Sequence, residues 1–492
     1  MISQILREAR TYEKNEGDLI PEENRPLFHL TPRIGWMNDP NGFSQYNGYY
    51  HLFYQYYPYQ KKWGPMHWGH AISKDLLNWE FLPAALAPDT TPDSGGCFSG
   101  SALSLDDGRH LLMYTGVVRV SDLDDENFVQ TQCLAAGDGT DYVKYQGNPV
   151  IDNSRIPEGL SRFDFRDPKM WRESDGTYRC VIGGCTKDKK GRILYFRSDD
   201  AFHWEFVSVL AANDGSLGTM WECPDFFELD GKYVLLISPQ DVLQNEKYSC
   251  GNIVVALIGT FDPKTGTFIK ESEQLVDSGI DFYATQTLLT EDGRRIMTAW
   301  MQNWDSIVYT VRSIRWFGQM IVPRELSLKN GRLYQEPIRE LNAMQRNRIA
   351  YENVKAEGYQ TFDGINGRTI DLTVRIRPES EGSLRKFEIR FAEDETQYTS
   401  LIFRPSENSL EFDRSNSGTR RAVDHNKKAK VSDNGGELKL RCILDRFSCE
   451  FFINDGEQTM SYSLFTDHYS EGISFTASGS AVLDIEKYDL VK

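Results

Sequence analysis

Long apolar stretches are missing from this sequence. No run of about 18 apolar residues, the length a helix needs to cross a bilayer, occurs anywhere along it. Cysteine is scarce: 8 in 492 residues, too scattered for a dense disulfide framework, so a reducing compartment is expected. In Met1-Ile2-Ser3-Gln4-Ile5-Leu6-Arg7-Glu8-Ala9-Arg10 charges interrupt every apolar run, which leaves no h-region of a signal peptide and makes the cytoplasm the expected location. Positive charge is in deficit. The 55 Lys and Arg against 72 Asp and Glu give a formal −17, which argues against nucleic acid or an anionic membrane as a partner.

Aromatic residues are plentiful, with 24 Tyr, 27 Phe and 10 Trp. They suffice for large cores, and rings left in a cleft suit the apolar faces of sugars. A chain of 492 residues exceeds one ordinary core, so two or more domains are expected. Ile2, Ile5, Leu6, Ala9 and Tyr12 share one helical face, which predicts a short amphipathic helix over 2–15, ended by Gly17 and Pro21, within an extension of residues 1–24.

Beyond it the chain is strand-rich and repeats itself. Asn47-Gly48, Asp107-Gly108, Asp175-Gly176, Asp230-Gly231 and Asp292-Gly293 each precede an apolar strand, at intervals of about 60 residues. Asn-Gly and Asp-Gly suit tight hairpins because positive φ costs them least. Such turns are common in any β protein, but the residues upstream argue against coincidence. Nine positions before the glycines stand Asp39, Ser99, Asp167, Glu222 and Ala284, the last beside Tyr283. Five hairpin units over residues 25–336 predict a five-bladed β-propeller, in which equivalent positions face the central axis and three carboxylates meet in one pocket.

From Glu336-Pro337-Ile338-Arg339-Glu340-Leu341 the pattern changes to a short helical link, placed at 337–350. Residues 351–492 then alternate cleanly, as in Ile370-Asp371-Leu372-Thr373-Val374-Arg375-Ile376, which predicts a C-terminal β-sandwich. The basic stretch from Arg414 to Lys430 reads as a solvated loop. The fold expected overall is all-β: propeller, then sandwich, with a short N-terminal helix.

Three segments carry chemistry. In Trp36-Met37-Asn38-Asp39-Pro40-Asn41-Gly42, Pro40 biases Asp39 to an extended backbone and Asn41-Gly42 turns the chain at once, giving the carboxylate the defined direction a nucleophile needs. In Arg166-Asp167-Pro168-Lys169, flanking cations are expected to keep Asp167 ionised, able to grip sugar hydroxyls. In Trp221-Glu222-Cys223-Pro224-Asp225, apolar neighbours and burial are expected to hold a proton on Glu222, as a general acid requires. Taken singly, each has a plainer reading: an Asx turn, a structural salt bridge, a solvent-facing Glu. His67 and His70 have a zinc-like gap, but Gly64-Pro65-Met66-His67-Trp68-Gly69-His70 makes a poor helix and no further ligands stand nearby, so no metal is expected.

Together and in this order, the three segments resemble glycoside hydrolase family 32, which includes invertases, fructanases and sucrose-6-phosphate hydrolases. Phe98-Ser99-Gly100-Ser101, Phe282-Tyr283-Ala284 and the stretch Asp445-Arg446-Phe447-Ser448-Cys449-Glu450-Phe451 extend the resemblance along nearly the whole chain. It implies a propeller followed by a sandwich, with Asp39 as nucleophile, Glu222 as acid/base and Asp167 as transition-state stabiliser. It also implies a sugar pocket lined by Asn38, Gln55, Trp63, Phe98, Ser99 and Arg166, with Tyr283 and Trp300 matching where the family's spacing varies. The reaction implied is retaining hydrolysis of terminal β-D-fructofuranosyl units from sucrose, sucrose 6-phosphate or short fructo-oligosaccharides, without a cofactor, by a monomer or homodimer. The alternatives are an exo-fructanase acting on inulin or levan, an inverting furanosidase, and a non-catalytic sugar-binding protein.

Overall fold

A computed structural model describes residues 2–120, 128–244, 248, 250–307, 314–418 and 426–492. Five antiparallel sheets follow one another along the chain. Their first strands are Gly35–Tyr46, Gly96–Ser104, Leu160–Arg172, Trp221–Leu229 and Tyr283–Leu289. These five touch in a ring, first to second and so on, with the fifth returning to the first. Each sheet continues outward strand by strand, which makes it a propeller blade. Trp316–Phe317, late in the fifth repeat, pairs in parallel with Gly35–Tyr46 and ties the ring shut.

Every one of the five Asn-Gly and Asp-Gly turns joins a blade's first strand to its second. Their glycines have φ between 76° and 87°, the left-handed region a side chain would resist. The local turn chemistry and the five-bladed architecture therefore agree.

The N-terminal helix spans Gln4–Gly17, two residues later than expected, and Ser3 caps it by accepting a hydrogen bond from Leu6 N. It lies along the outer strand of the first blade, Trp79–Leu86. Arg10 Nε donates to the Ala84 carbonyl and Glu13 Oε1 accepts from the Ala84 amide, so the helix covers an edge that would otherwise offer unpaired backbone groups. No helix among the described residues is long and apolar enough to cross a membrane.

The C-terminal unit is one sheet folded on itself into two layers. Its last strand, Gly472–Leu490, pairs first with Leu384–Glu393 and then with Ile370–Pro378, passing from one layer to the other. Phe412 of one layer stacks on Tyr462 of the other with ring centroids 3.5 Å apart, in a core that also holds Val374, Phe387, Leu440 and Phe451. Residues 339–344 form a 3-10 turn, but strand pairing already begins at Gln345 opposite Leu490, inside the segment read as a linker.

The stretch from Arg414 to Lys430 is not the solvated loop expected. Asn426–Lys430 is an edge strand, Arg414 is fully buried with its guanidinium 2.6 Å from Asp281 of the propeller, and residues 419–425 lie outside the described residues. Arg414 belongs to a seam of buried charge between the two units. Arg324 meets Glu450 at 2.6 Å and Asp277 at 3.0 Å, and His29 lies between Asp445 (2.7 Å) and Glu450 (2.9 Å). Burial opposes charge on His29, but the hydrogen bonds to the two carboxylates prevail and push it up to about 9. Asp445 and Glu450 stay below their ordinary range: burial works against them, His29 holds down the first, and Arg324 with His29 the second. The edge strand Gln458–Ser463 completes the seam through Ser461 and Ser463 amides donated to Asp277 and Asp281.

Candidate active site

Each first strand breaks register with its neighbour where it passes the hub. The irregularities fall between Met37 and Pro40, Phe98 and Gly100, Arg166 and Lys169, Glu222 and Asp225, and Tyr283 and Gln286. A β-bulge turns the side chains at that point out of the regular pleat. Asp167, Cys223 and Ala284 take φ of 65°, 47° and 54° there. The five-fold register seen in the sequence is thus a five-fold bulge.

The bulges aim Asp39, Ser99, Asp167 and Glu222 into one cavity of about 1070 Å³, and Ala284 does not reach it. Asp39 is held from three sides: Ser99 Oγ donates to Oδ2 at 2.6 Å, Asn38 Nδ2 to Oδ1 at 3.0 Å, and the Cys223 thiol lies 3.5 Å from Oδ2. Asp167 Oδ2 accepts the Cys223 amide at 3.0 Å and has the same thiol at 3.6 Å. The ligand atoms of Asp39, Asp167 and Cys223 all lie within 4.8 Å of one another. Glu222 is gripped at both oxygens. Arg166 Nε and Nη2 donate to Oε1 at 2.9 and 2.8 Å; Gln240 Nε2 donates to Oε2 at 2.9 Å, with the Tyr283 hydroxyl at 2.7 Å.

Two electrostatic expectations change. Arg166 gives its guanidinium to Glu222, while Lys169 turns away to Asp225 (3.0 Å) and the Thr287 carbonyl. Burial, reinforced by the charges of Glu222 and Asp39, outweighs Arg166 and pushes the Asp167 carboxyl up to about 7, so sequence-adjacent cations do not hold it ionised. Asp39 is also raised, by burial first and the Glu222 charge second, against its hydrogen bonds. Nor does Glu222 sit among apolar groups: its neighbours are Arg166, Gln240 and Tyr283, because the strand turns the Trp221 indole to the Leu217 carbonyl instead.

Of the pocket residues expected, Asn38, Gln55, Trp63, Phe98, Ser99 and Arg166 line the cavity. Tyr283 and Trp300 do not. Tyr283 is buried behind Glu222 and reaches it only through its hydroxyl. Trp300 is fully buried in a second layer, 5.9 Å from Trp36 and 5.1 Å from Trp304 by ring centroids, and Trp304 is the indole that faces the cavity. Sequence reasoning missed Trp304, Gln130, Gln240 and the double contact of Cys223. Cys223 is revealed only by the backbone: in the fourth blade the positive-φ bulge residue falls one position after the register position, so Cys223 takes the place that Asp167 and Ala284 hold in theirs. His67 and His70 sit three apart on a strand and turn to different partners, the Pro65 carbonyl and His51.

Comparison with known proteins agrees with this geometry. Residues 29–337 match the family described as the glycosyl hydrolases family 32 N-terminal domain, and residues 340–490 the family 32 C terminal. The chain is similar to a raffinose invertase of Escherichia coli, 37% identical over 93% of each chain. It is also similar to a sucrose-6-phosphate hydrolase of Escherichia coli, 35% identical over 93% of each. Among solved structures it resembles a mutant Bombyx mori GH32 beta-fructofuranosidase in complex with sucrose, at TM-score 0.86 and 33% identity, covering 100% of this chain and 99% of that one.

Proposed function

The chain belongs to glycosyl hydrolase family 32, and from that premise we propose that Asp39 is its nucleophile, Glu222 its acid/base and Asp167 its transition-state stabiliser. The protein is a retaining β-fructofuranosidase that removes terminal fructosyl units from sucrose, sucrose 6-phosphate or short fructo-oligosaccharides. The observation that carries the residue assignment is the convergence of three carboxylates, from the first, third and fourth blades, on one cavity.

In the first half-reaction Asp39 attacks C2 of the fructosyl unit while Glu222 protonates the departing oxygen. Ser99, Asn38 and Cys223 fix the direction of attack, which keeps the reacting atoms in line without reorganisation. In the second half-reaction Glu222 takes a proton from water, which displaces Asp39 and releases fructose with retained configuration. Arg166, Gln240 and Tyr283 hold Glu222 through both roles. Asp167 accepts hydrogen bonds from ring hydroxyls that strengthen as positive charge develops at C2, and its burial makes each worth more than in water. No step requires a metal or cofactor.

Trp63, edge-on to Phe98 at 5.9 Å, and Trp304 supply apolar surface for the sugar rings. We place the reaction in the cytoplasm, in a monomer or homodimer, and the eight unpaired cysteines support a reducing setting. The test is NMR of sucrose hydrolysis at early times. β-Fructofuranose is expected as the first anomer; α-fructofuranose first would mean inversion and remove Asp39 from its role as nucleophile.

A further inference from the structure

The cavity is lined by three cations, Arg166, Lys187 and Lys189. Two are committed. Arg166 is bound to Glu222, and Lys189 Nζ lies 3.0 Å from Asp164 Oδ2. The next residue, Lys190, pairs with Asp188 at 3.3 Å. The ammonium of Lys187 has no ion pair or hydrogen bond among the described residues, although its neighbours on the same hairpin each have one.

The backbone that carries Lys187 is well held. It lies in the turn between Tyr178–Thr186 and Gly191–Ser198. Thr186 N donates to the Lys190 carbonyl at 3.0 Å, Lys189 N to the Thr186 carbonyl at 2.9 Å, and Lys187 N itself to the Gly159 carbonyl at 3.1 Å. Lys189 closes the turn at φ 60°. An unpaired cation on so fixed a turn is preorganised for an anion that arrives from solution.

Its position sets which anion. Gly183 pairs with Arg166, next to the carboxylates, and Thr186 pairs with Leu160, toward the rim. Lys187 is four residues beyond Gly183, about 13 Å along the strand at roughly 3.3 Å per residue, and its flexible four-carbon stem reaches back over part of that span. The fructosyl unit must sit at the hub against Asp39, so Lys187 stands over the leaving group. The hub holds three carboxylates against one guanidinium, and Asp164 and Asp241 also line the cavity, so Lys187 is its one lining cation not already set against a carboxylate among the described residues.

We propose that Lys187 is the specificity-determining residue for a phosphorylated leaving group: its ammonium receives the 6-phosphate of the glucosyl unit, and the enzyme favours sucrose 6-phosphate over sucrose. Lysine binds phosphate as a point charge, without the planar fork that would demand one orientation, which suits a group on a rotatable hydroxymethyl arm. The proposal rests on the fructosidase reading of the same cavity and adds the substrate's charge to it.

The experiment measures kcat/KM for sucrose 6-phosphate and for sucrose with the wild type, Lys187→Ala, Lys187→Glu and the remote surface control Lys264→Ala. The wild type is expected to prefer sucrose 6-phosphate. Its preference ratio should fall about ten- to a hundredfold in Lys187→Ala, the range of a charge-assisted hydrogen bond, and further in Lys187→Glu, chiefly through KM. Lys264→Ala should keep the wild-type ratio. Glucose 6-phosphate should inhibit the wild type more strongly than glucose, and lose that advantage in Lys187→Ala. A ratio that stays within threefold in both Lys187 variants, or a wild type that prefers sucrose, overturns the inference and leaves the fructosidase reading standing. A wild type that cleaves neither sugar sinks that reading instead.

Discussion

The seam between propeller and sandwich buries four carboxylates, Asp277, Asp281, Asp445 and Glu450, and sets three basic side chains, Arg324, Arg414 and His29, against them. The hub gathers three, half-buried Asp39 and Glu222 with buried Asp167, around the single guanidinium of Arg166. The same kind of residue behaves in opposite ways. At the seam Asp445 and Glu450 are pulled below their ordinary range, whereas at the hub Asp39 and Asp167 are pushed above theirs. Compensated charge holds two units together. Uncompensated charge is kept only where a reaction will use it, and the rest of the fold must offset its cost.

The sharpest break between the two regions is predicted at the nucleophile and the acid. Asp39→Asn and Glu222→Gln should each lower kcat on sucrose at least about a thousandfold, since residues acting as one unit fail together. Asp39 has no cation against it among the described residues, unlike Glu222, so Asp39→Asn should leave Tm unchanged or higher, as calorimetry of the same samples would show. A drop of several degrees in Tm with Asp39→Asn would mean that the hub is built for stability after all.

Asp167→Asn should slow kcat by about a hundred- to a thousandfold, the scale of a lost transition-state contact, with KM little altered. A change confined to KM would reduce Asp167 to a ground-state binding group. The seam should answer in the reverse sense. Arg324→Met takes the guanidinium from Asp277 and leaves Glu450 with His29 alone, and is expected to cost about 3–5 kcal/mol by urea unfolding, while the folded fraction turns over sucrose normally. Unaltered stability in that variant would show that the network is incidental.

A finer comparison uses pH. The value of about 9 for His29 in the folded protein lies above its ordinary 6.5. Its contribution to stability is therefore full below about pH 6.5 and is lost as pH rises through about 9. Asp445 and Glu450 have the opposite sign: being held low, they stabilise above the ordinary carboxylate range and lose that contribution as pH falls. The alkaline fall in Tm should shrink in His29→Gln and persist in Asp167→Asn. At the hub Asp167, raised to about 7, favours the fold at acid pH and loses that contribution as pH climbs from about 4 to about 7. The smallest effect predicted is at the rim: Trp304→Ala should raise KM for sucrose a few-fold, and Trp300→Phe should leave KM alone and lower Tm. The reverse pattern would restore Trp300 as a sugar contact.

Much of this is legible in the amino-acid chain itself. Asn47-Gly48 and its four counterparts are short-range signals, because the positive φ that each glycine adopts is a local property and needs no partner. The strands follow from alternation, and a fixed offset from turn to inner strand carries Asp39, Ser99, Asp167 and Glu222 to equivalent depths in four blades. Local chemistry repeated at regular intervals can therefore announce both the propeller and the meeting of its carboxylates.

What the chain cannot announce is which way each side chain turns once it arrives. Arg166 and Lys169 flank Asp167 in sequence, yet one reaches Glu222 and the other Asp225, since neighbours on a strand point to opposite faces. Trp300 and Trp304 are close in sequence, alike in chemistry and both 5.9 Å from Trp36 by ring centroids, and only the tertiary structure buries the first and leaves the second facing the cavity. Arg414 has the sequence setting of a polar loop, and only the propeller's Asp281 gives it a buried partner. Sequence alone thus determined the elements, their repeat and the residue types at the hub, because these depend on bonds and sterics within a few residues. Pairing, exposure and proton affinity depend on groups brought together from distant segments, and those only the tertiary structure could decide.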